Sequence, residues 1–139
     1  MKQKMYIATI ICLAVLCVLQ IIVGAYLYPT PRLMIEGEIE ASERVEVERA
    51  AKAIERKYSF LGFPIFHTMP LTITYRVDLQ QDTASYCEEH GLDTSDVMIF
   101  NVKFYSERAA VNPDGIFEMY VAVCKNNIGV WKVHDTFTG

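Results

Sequence analysis

The chain of 139 residues is long enough for one domain plus a membrane anchor and too short for two ordinary domains. Its hydrophobic fraction of 52% is high for a soluble protein of this size, and most of the excess lies in residues 1–30, so the remainder is a more polar domain. Lys2 and Lys4 precede the apolar run; without them 11 basic residues face 17 acidic ones, and no basic cluster is present. Nucleic acid is therefore not expected as a partner, because phosphate binding needs clustered positive charge.

The first segment has the composition of a transmembrane helix. Residues 5–28 carry no charge, and Gln20 is the only strongly polar side chain among them. At about 1.5 Å per residue this helix is about 36 Å long, enough to span a hydrocarbon core of about 30 Å. Tyrosines stand near both ends, where such rings settle at the headgroup level, and prolines at 29 and 31 end the helix. The sequence predicts a single-pass anchor over residues 1–28.

The charges around this segment predict its orientation. Lys2 and Lys4 lie before the span, so the N-terminus is expected in the cytoplasm and the C-terminal domain outside the cell membrane. The alternative is a signal peptide cleaved after Ala25, since Val23-Gly24-Ala25 has the small residues of a cleavage site. The apolar run is longer than the roughly 7–15 residues of a signal core, which favours the retained anchor. Both alternatives export the same domain.

A linker over residues 29–41 and an extracytoplasmic domain over residues 42–139 are expected next. Ser42 is the expected N-cap of a long helix whose early acidic and late basic residues suit the helix dipole. Its apolar residues recur at the spacing of one helical face, which predicts that this face is buried. They are Val47, Ala50, Ala51, Ile54 and Tyr58.

Alternating apolar residues predict four strands in the rest of the chain. The first runs over residues 71–79, and a short helix follows that Asp82 caps and Gly91 ends. The other three strands, joined by short turns, form an antiparallel meander, and the long helix covers the apolar face of the sheet. The fold class is α+β, a long helix packed on a curved antiparallel sheet. The three later strands are placed at residues 97–105, around 117–123 and at 130–135.

Several short motifs resemble a known family. They are Leu71-x-Ile73-x-Tyr75, Asp96-Val97-Met98-Ile99-Phe100 and the end Gly129-Val130-Trp131-Lys132-Val133-x-Asp135. Over roughly residues 42–139 they resemble small bacterial envelope proteins of unknown function with a cone-shaped, nuclear-transport-factor-2-like (cystatin-like) domain. That superfamily includes dehydratases, isomerases and non-catalytic binding modules, so the resemblance implies a fold and leaves the activity open. This chain has one long helix where larger members have two or three.

The resemblance implies that ligand-lining residues lie inside the cone. Tyr75, Tyr120 and Asp135 are the candidates. In enzymes of the superfamily a His or Asp inside the cone acts as acid or base, but strand alternation puts His134 and Asp135 on opposite faces of the last strand. We therefore assign no catalytic residue. Trp131 is expected to be a core residue that packs on the long helix.

Cysteines and histidines allow two further readings. Cys87 and Cys124 are the two cysteines outside the span, and an oxidising compartment would allow a disulfide between them. The alternative is a pair of buried thiols. Cys87, His90, Cys124 and His134 match no compact zinc module, so neither a metal site nor a cofactor is expected.

Three functions remain in view. The first is a non-catalytic, membrane-tethered binding or accessory module, with another envelope protein as a candidate partner. The second is a small envelope enzyme or ligand carrier that uses the cone pocket. The third makes the span itself an interaction surface for a second membrane protein, through Gln20 or Gly24.

Overall fold

A computed structural model describes residues 1–59, 67–107 and 113–138, without the side chains of Gln80 and Gln81. Within these residues it contains three α-helices: α1 over Lys2–Leu27, α2 over Ala41–Lys57 and α3 over Gln80–His90. The sequence predicts a loop over residues 60–70 and a turn over residues 112–115; residues 60–66 and Asn112 lie outside the described residues, whereas residues 68–70 belong to a strand, so the loop is shorter than predicted. The α+β class is confirmed.

Five strands form one sheet in the order β1-β2-β3-β4-β5. The β2–β3, β3–β4 and β4–β5 pairs are antiparallel, whereas β1 pairs with β2 in parallel. The sheet is therefore mixed, and the prediction of a wholly antiparallel sheet was wrong. The strands are β1 Arg32–Glu36, β2 Thr68–Arg76, β3 Val97–Ser106, β4 Ile116–Lys125 and β5 Trp131–Phe137.

Strand β1 lies within the segment predicted to be a linker. Its exposure alternates along the five residues, with Leu33 and Ile35 half-buried against the core. The chain then passes through α2 before it returns as β2, and such a crossover makes the two strands parallel. Gly37 follows β1 at φ 111°, and a Cβ there would lie 2.7 Å from Cγ2 of Val77. The close approach of the chain to Val77 thus requires glycine.

Helix α2 covers one face of the sheet, which we call the α2 face. Its buried residues include every residue of the predicted apolar stripe, with Tyr58 at the C-cap, and Ala53, which was not predicted, is buried as well. The helix begins one residue before Ser42, with Glu40 at the N-cap and no capping side chain. Trp131 is 3% exposed, packs in this core and donates from Nε1 to Oε2 of Glu46 over 3.1 Å. The predicted packing of Trp131 on the long helix is confirmed.

Helix α3 packs on part of the opposite face, the α3 face. Thr83, Tyr86 and Cys87 are its buried residues, at the i, i+3, i+4 spacing of one helical stripe. They meet a second, smaller core formed with Val97, Ile99 and Ala122. The helix starts at Gln80 after a 3₁₀ turn over Val77–Leu79, so Asp82 lies in its first turn rather than at its cap. Gly91 ends it at φ 65°, as predicted.

Helix α1 stands apart from both cores. None of its residues is buried, and large apolar side chains are exposed along its whole length. It is long and apolar enough to cross a membrane, a property that a signal sequence would share.

Candidate functional site

A cleft of about 350 Å³ opens on the α3 face, between α3 and the end of β5. Ile99 and Leu79 are buried in its apolar floor, Asp82 and Thr138 are exposed at its rim, and aromatic side chains form its walls. The aromatic residues are Tyr86, Tyr120 and Phe137. An apolar concavity with a few polar groups at its edge is typical of a small-ligand site.

The walls are part of a continuous stack of rings. Tyr86 stacks on His90 at a centroid distance of 4.2 Å and on Phe137 at 5.5 Å, and Phe137 stacks on Tyr120 at 5.7 Å. Helix α3 supplies two of these rings, β4 one and β5 one. We call the four residues the aromatic ladder. Because aromatic pairs restrain one another, the ladder holds the cleft open in a defined shape.

A hydrogen bond joins the ladder to β5. The phenol of Tyr86 lies 2.7 Å from Nδ1 of His134. Burial, and then the negative charge of Asp135, raise the pKa of Tyr86 to about 12. The phenol therefore keeps its proton at neutral pH, and the tautomer of His134 decides which of the two groups donates the hydrogen bond. His90 donates from Nδ1 to the carbonyl oxygen of Tyr86 over 2.9 Å, since a carbonyl can only accept.

A β-bulge brings His134 and Asp135 to the same side of the sheet. Ala122 and Val123 are neighbours on β4, yet they pair with Asp135 and Val133, which leaves His134 as an extra residue. The bulge reverses the alternation for the end of β5. Phe137, which simple alternation from Trp131 would put on the α2 face, stacks on the α3 face instead. The expectation that His134 and Asp135 face opposite sides was wrong for this reason.

The three residues expected to line one pocket lie on two faces. Tyr75 is 2% exposed in the core under α2 and donates its hydroxyl to Oε1 of Glu43 over 3.0 Å. Tyr120 lines the cleft. Asp135 is exposed near Tyr86 and accepts a hydrogen bond from the amide of Thr136 over 2.8 Å.

Sequence reasoning did not single out Tyr86, His90 or Phe137 as members of the aromatic ladder. Tyr86 and His90 are four apart on the short helix, which already indicates a shared face. The sequence gives no comparable indication for Phe137, because the face of the sheet on which its side chain lies depends on the bulge in β5. Under α2 the described side chains form a packed core, and an open space of about 470 Å³ lies beside this core, between α2 and β5.

The two cysteines lie next to the cleft. Cys87 is 2% exposed and Cys124 is half-buried, both in or against the second core, and both are free thiols. Burial raises the pKa of each thiol, and the charge of Asp93 raises that of Cys87 further. A disulfide between them stays a prediction.

The cleft is negative in character. Among the described residues that line it, Asp82 is the acidic one, and Asp135 and Glu89 act electrostatically on Tyr86 from outside it. Within the described parts of the chain, no group of three or more His, Cys, Asp or Glu side chains could hold a metal ion. The cleft therefore offers a ligand an apolar floor, the faces of aromatic rings and nearby carboxylates. This lining suits a neutral or positively charged guest.

No protein-family model, curated protein or solved structure matches this chain. The resemblance to nuclear-transport-factor-2-like envelope proteins therefore stays a prediction, and any functional statement depends on the site itself.

Proposed function

We propose that the chain is a single-pass membrane protein whose C-terminal domain lies outside the cell membrane and binds a small apolar group without catalysis. The observation that carries the binding role is the cleft of about 350 Å³ walled by the aromatic ladder. Its apolar floor takes the body of the guest, and Asp82 favours a neutral or positively charged end. The apolar helix α1 and the two lysines in its first turn support the anchor and its orientation.

Tyr86, the polar side chain in the wall of the cleft, is not suited to be a general base. A general base must be able to accept a proton near neutral pH, but the pKa of Tyr86 is raised to about 12 by burial and neighbouring negative charge. Its phenol shares a hydrogen bond with His134 and so orients that side chain. The guest can be a free small molecule or a side chain of another envelope protein, since both can present the same group.

A small enzyme or ligand carrier is the alternative. It is favoured by the hydrogen bond between Tyr86 and His134 and by the carboxylate of Asp135 on the same face. In an enzyme, His134 would be essential. A folded His134→Gln variant that loses its cellular role while its cleft still binds the probes below would favour this alternative.

The binding role is tested with three probes that share one ring and differ in charge: benzylamine, benzyl alcohol and benzoate. With the full chain in lipid nanodiscs, and empty nanodiscs as the reference, ligand-observed NMR measures each affinity. We expect millimolar binding, strongest for benzylamine and weakest for benzoate, because the rim is acidic.

Tyr120→Ala removes one wall of the cleft and is expected to weaken benzylamine binding about three- to tenfold. Tyr105→Ala is the matched control, since Tyr105 is also half-buried in the sheet but does not line the cleft. Absence of binding by all three probes, or equal losses in the two variants, would contradict the proposal.

A further inference from the structure

A second cavity lies where the anchor meets the base of the domain. Ile21, Ala25 and Tyr28 lie on one helical face and line a space of about 370 Å³. The opposite wall comes from the domain, with Glu55 and Ser59 at the end of α2 and Pro70 in β2. We call this space the wedge, defined by these six residues.

The anchor and the base of the domain are held together by a hydrogen bond. The hydroxyl of Tyr28, one residue after α1, donates to the carbonyl oxygen of Tyr58 over 2.9 Å. Tyr58 is the C-cap of α2 and is itself buried against Phe104. The position of the last turn of α1 is therefore linked to the core of the domain.

The depth of the wedge follows from the geometry of the helix. A hydrocarbon core of about 30 Å takes about 20 helical residues, and counting from the last charge, Lys4, puts its outer boundary near Gly24. Ile21 then lies within the hydrocarbon and Tyr28 about 6 Å above its boundary, in the headgroup layer. The wedge crosses this boundary and lies against a helix whose neighbours are lipids.

The polar lining indicates the chemistry of the occupant. Thr30 and Ser59 offer hydroxyl donors, and Glu55 is the one charged residue of the lining. Burial raises the pKa of Glu55, with Lys52 acting against it, so a positive partner would stabilise its carboxylate. Hydroxyl groups can donate hydrogen bonds to a phosphate, and a carboxylate can pair with an ammonium group. Together these groups match a zwitterionic headgroup.

We propose that an outer-leaflet phospholipid with an ammonium-bearing headgroup occupies the wedge, with the part of its acyl chains nearest the glycerol against Ile21 and Ala25 and its ammonium group near Glu55. The lipid would then be a fixed part of the contact between anchor and domain and would hold the base of the domain at the membrane surface. This inference rests on the membrane anchor of the proposed function.

Photo-crosslinking of the full chain in nanodiscs tests the lipid contact. A benzophenone amino acid is placed at Ser59 in the wedge, at Leu16 in the middle of the span, or at Ser95. Ser95 is the matched control, because it lies just before the start of β3, whereas Tyr58, the neighbour of Ser59, contacts Phe104 near the other end of β3. At about 3.3 Å per residue, Val97 and Phe104 are about 23 Å apart.

We expect phospholipid adducts at Leu16 and Ser59 and none at Ser95. Adducts at Leu16 without adducts at Ser59 would overturn the wedge while leaving the anchor intact. Absence of adducts at both positions would overturn the anchor and the wedge together. Adducts at Ser95 equal to those at Ser59 would show unspecific contact and would also overturn the proposal.

The headgroup preference is measured in the same nanodiscs with equal amounts of phosphatidylethanolamine and phosphatidylglycerol. Adducts at Ser59 should favour phosphatidylethanolamine about two- to fivefold, and Glu55→Gln should remove the preference. Glu48→Gln is the control on the same helix, at an exposed residue that pairs with Arg44. Equal labelling of both lipids by the wild-type chain would overturn the role of Glu55.

Discussion

The two faces of the sheet are built from similar apolar and aromatic residues but differ in how completely these residues are packed. Under α2, fourteen buried residues form a continuous core in which Tyr75 and Phe100 are fully packed. Under α3 the buried cluster has five members, and its aromatic residues stand beside an open cleft. The difference comes from helix length, because the short α3 covers only part of its face. The larger packed core contributes stability, whereas the smaller core under α3 leaves room for a guest beside its aromatic rings.

The largest expected effect on the free energy of unfolding comes from a substitution that leaves a cavity in the core under α2. Ile54 is 0% exposed on α2, so Ile54→Ala should lower the free energy of unfolding by about 2–5 kcal/mol. Ile128→Ala, at a residue 83% exposed in the β4–β5 turn, should change it by less than about 0.5 kcal/mol. Urea unfolding followed by Trp131 fluorescence measures both. Similar losses in the two variants would show that the α2 face is not the main core.

The cysteines of the α3 face should differ in reactivity. Cys87 is 2% exposed and Cys124 half-buried, so iodoacetamide should label Cys87 at least about tenfold more slowly. Burial raises the pKa of both thiols, so labelling of Cys124 should accelerate as pH rises through and above the ordinary thiol range. Mass spectrometry without reductant measures both rates. Complete protection of both thiols, reversed by reductant, would instead show the predicted disulfide.

The hydrogen bond between Tyr86 and His134 should contribute less to the free energy of unfolding than the buried side chain of Ile54 does. Tyr86→Phe keeps the stacked ring and removes the hydroxyl, so it should lower the free energy of unfolding by about 0.5–1.5 kcal/mol. A double-mutant cycle with His134→Gln isolates the coupling between the two side chains. Additive losses in that cycle would mean that the hydrogen bond contributes nothing of its own.

Alkaline pH tests the same tyrosine. Its pKa is raised from 10.0 to about 12 by burial and nearby negative charge, so the folded state favours the protonated phenol. The resulting stability is present below about pH 10 and is lost as pH rises towards about 12. The wild-type chain should therefore lose more stability across this window than Tyr86→Phe does. Parallel pH profiles would contradict the assignment.

Much of the α2 face could be predicted from the sequence. The apolar stripe of α2 and the packing of Trp131 follow from periodicity, because each buried position repeats at a fixed interval. Strand β1 was missed although Leu33 and Ile35 alternate with exposed residues, since five residues between prolines and a glycine resemble a linker. Its parallel pairing could not be read from the strand itself, because it depends on the crossover through α2.

The α3 face was harder to predict. Strand alternation assigns side chains to faces only while the register is regular, and the bulge at His134 breaks it. Tyr120 was identified as a lining residue, but its neighbours in the ladder come from a separate helix and from residues beyond the bulge. The cleft is formed by residues that are distant in the sequence, so no local sequence pattern predicts it.

Ring-resolved NMR of the full chain in nanodiscs, titrated with benzylamine, tests the contrast between the two faces most directly. The cleft predicts shift changes at Tyr120 and Phe137 and none at Tyr75 and Phe100, which lie in the packed core. Changes confined to the α2 face, or no change on either face at millimolar concentration, would contradict the account.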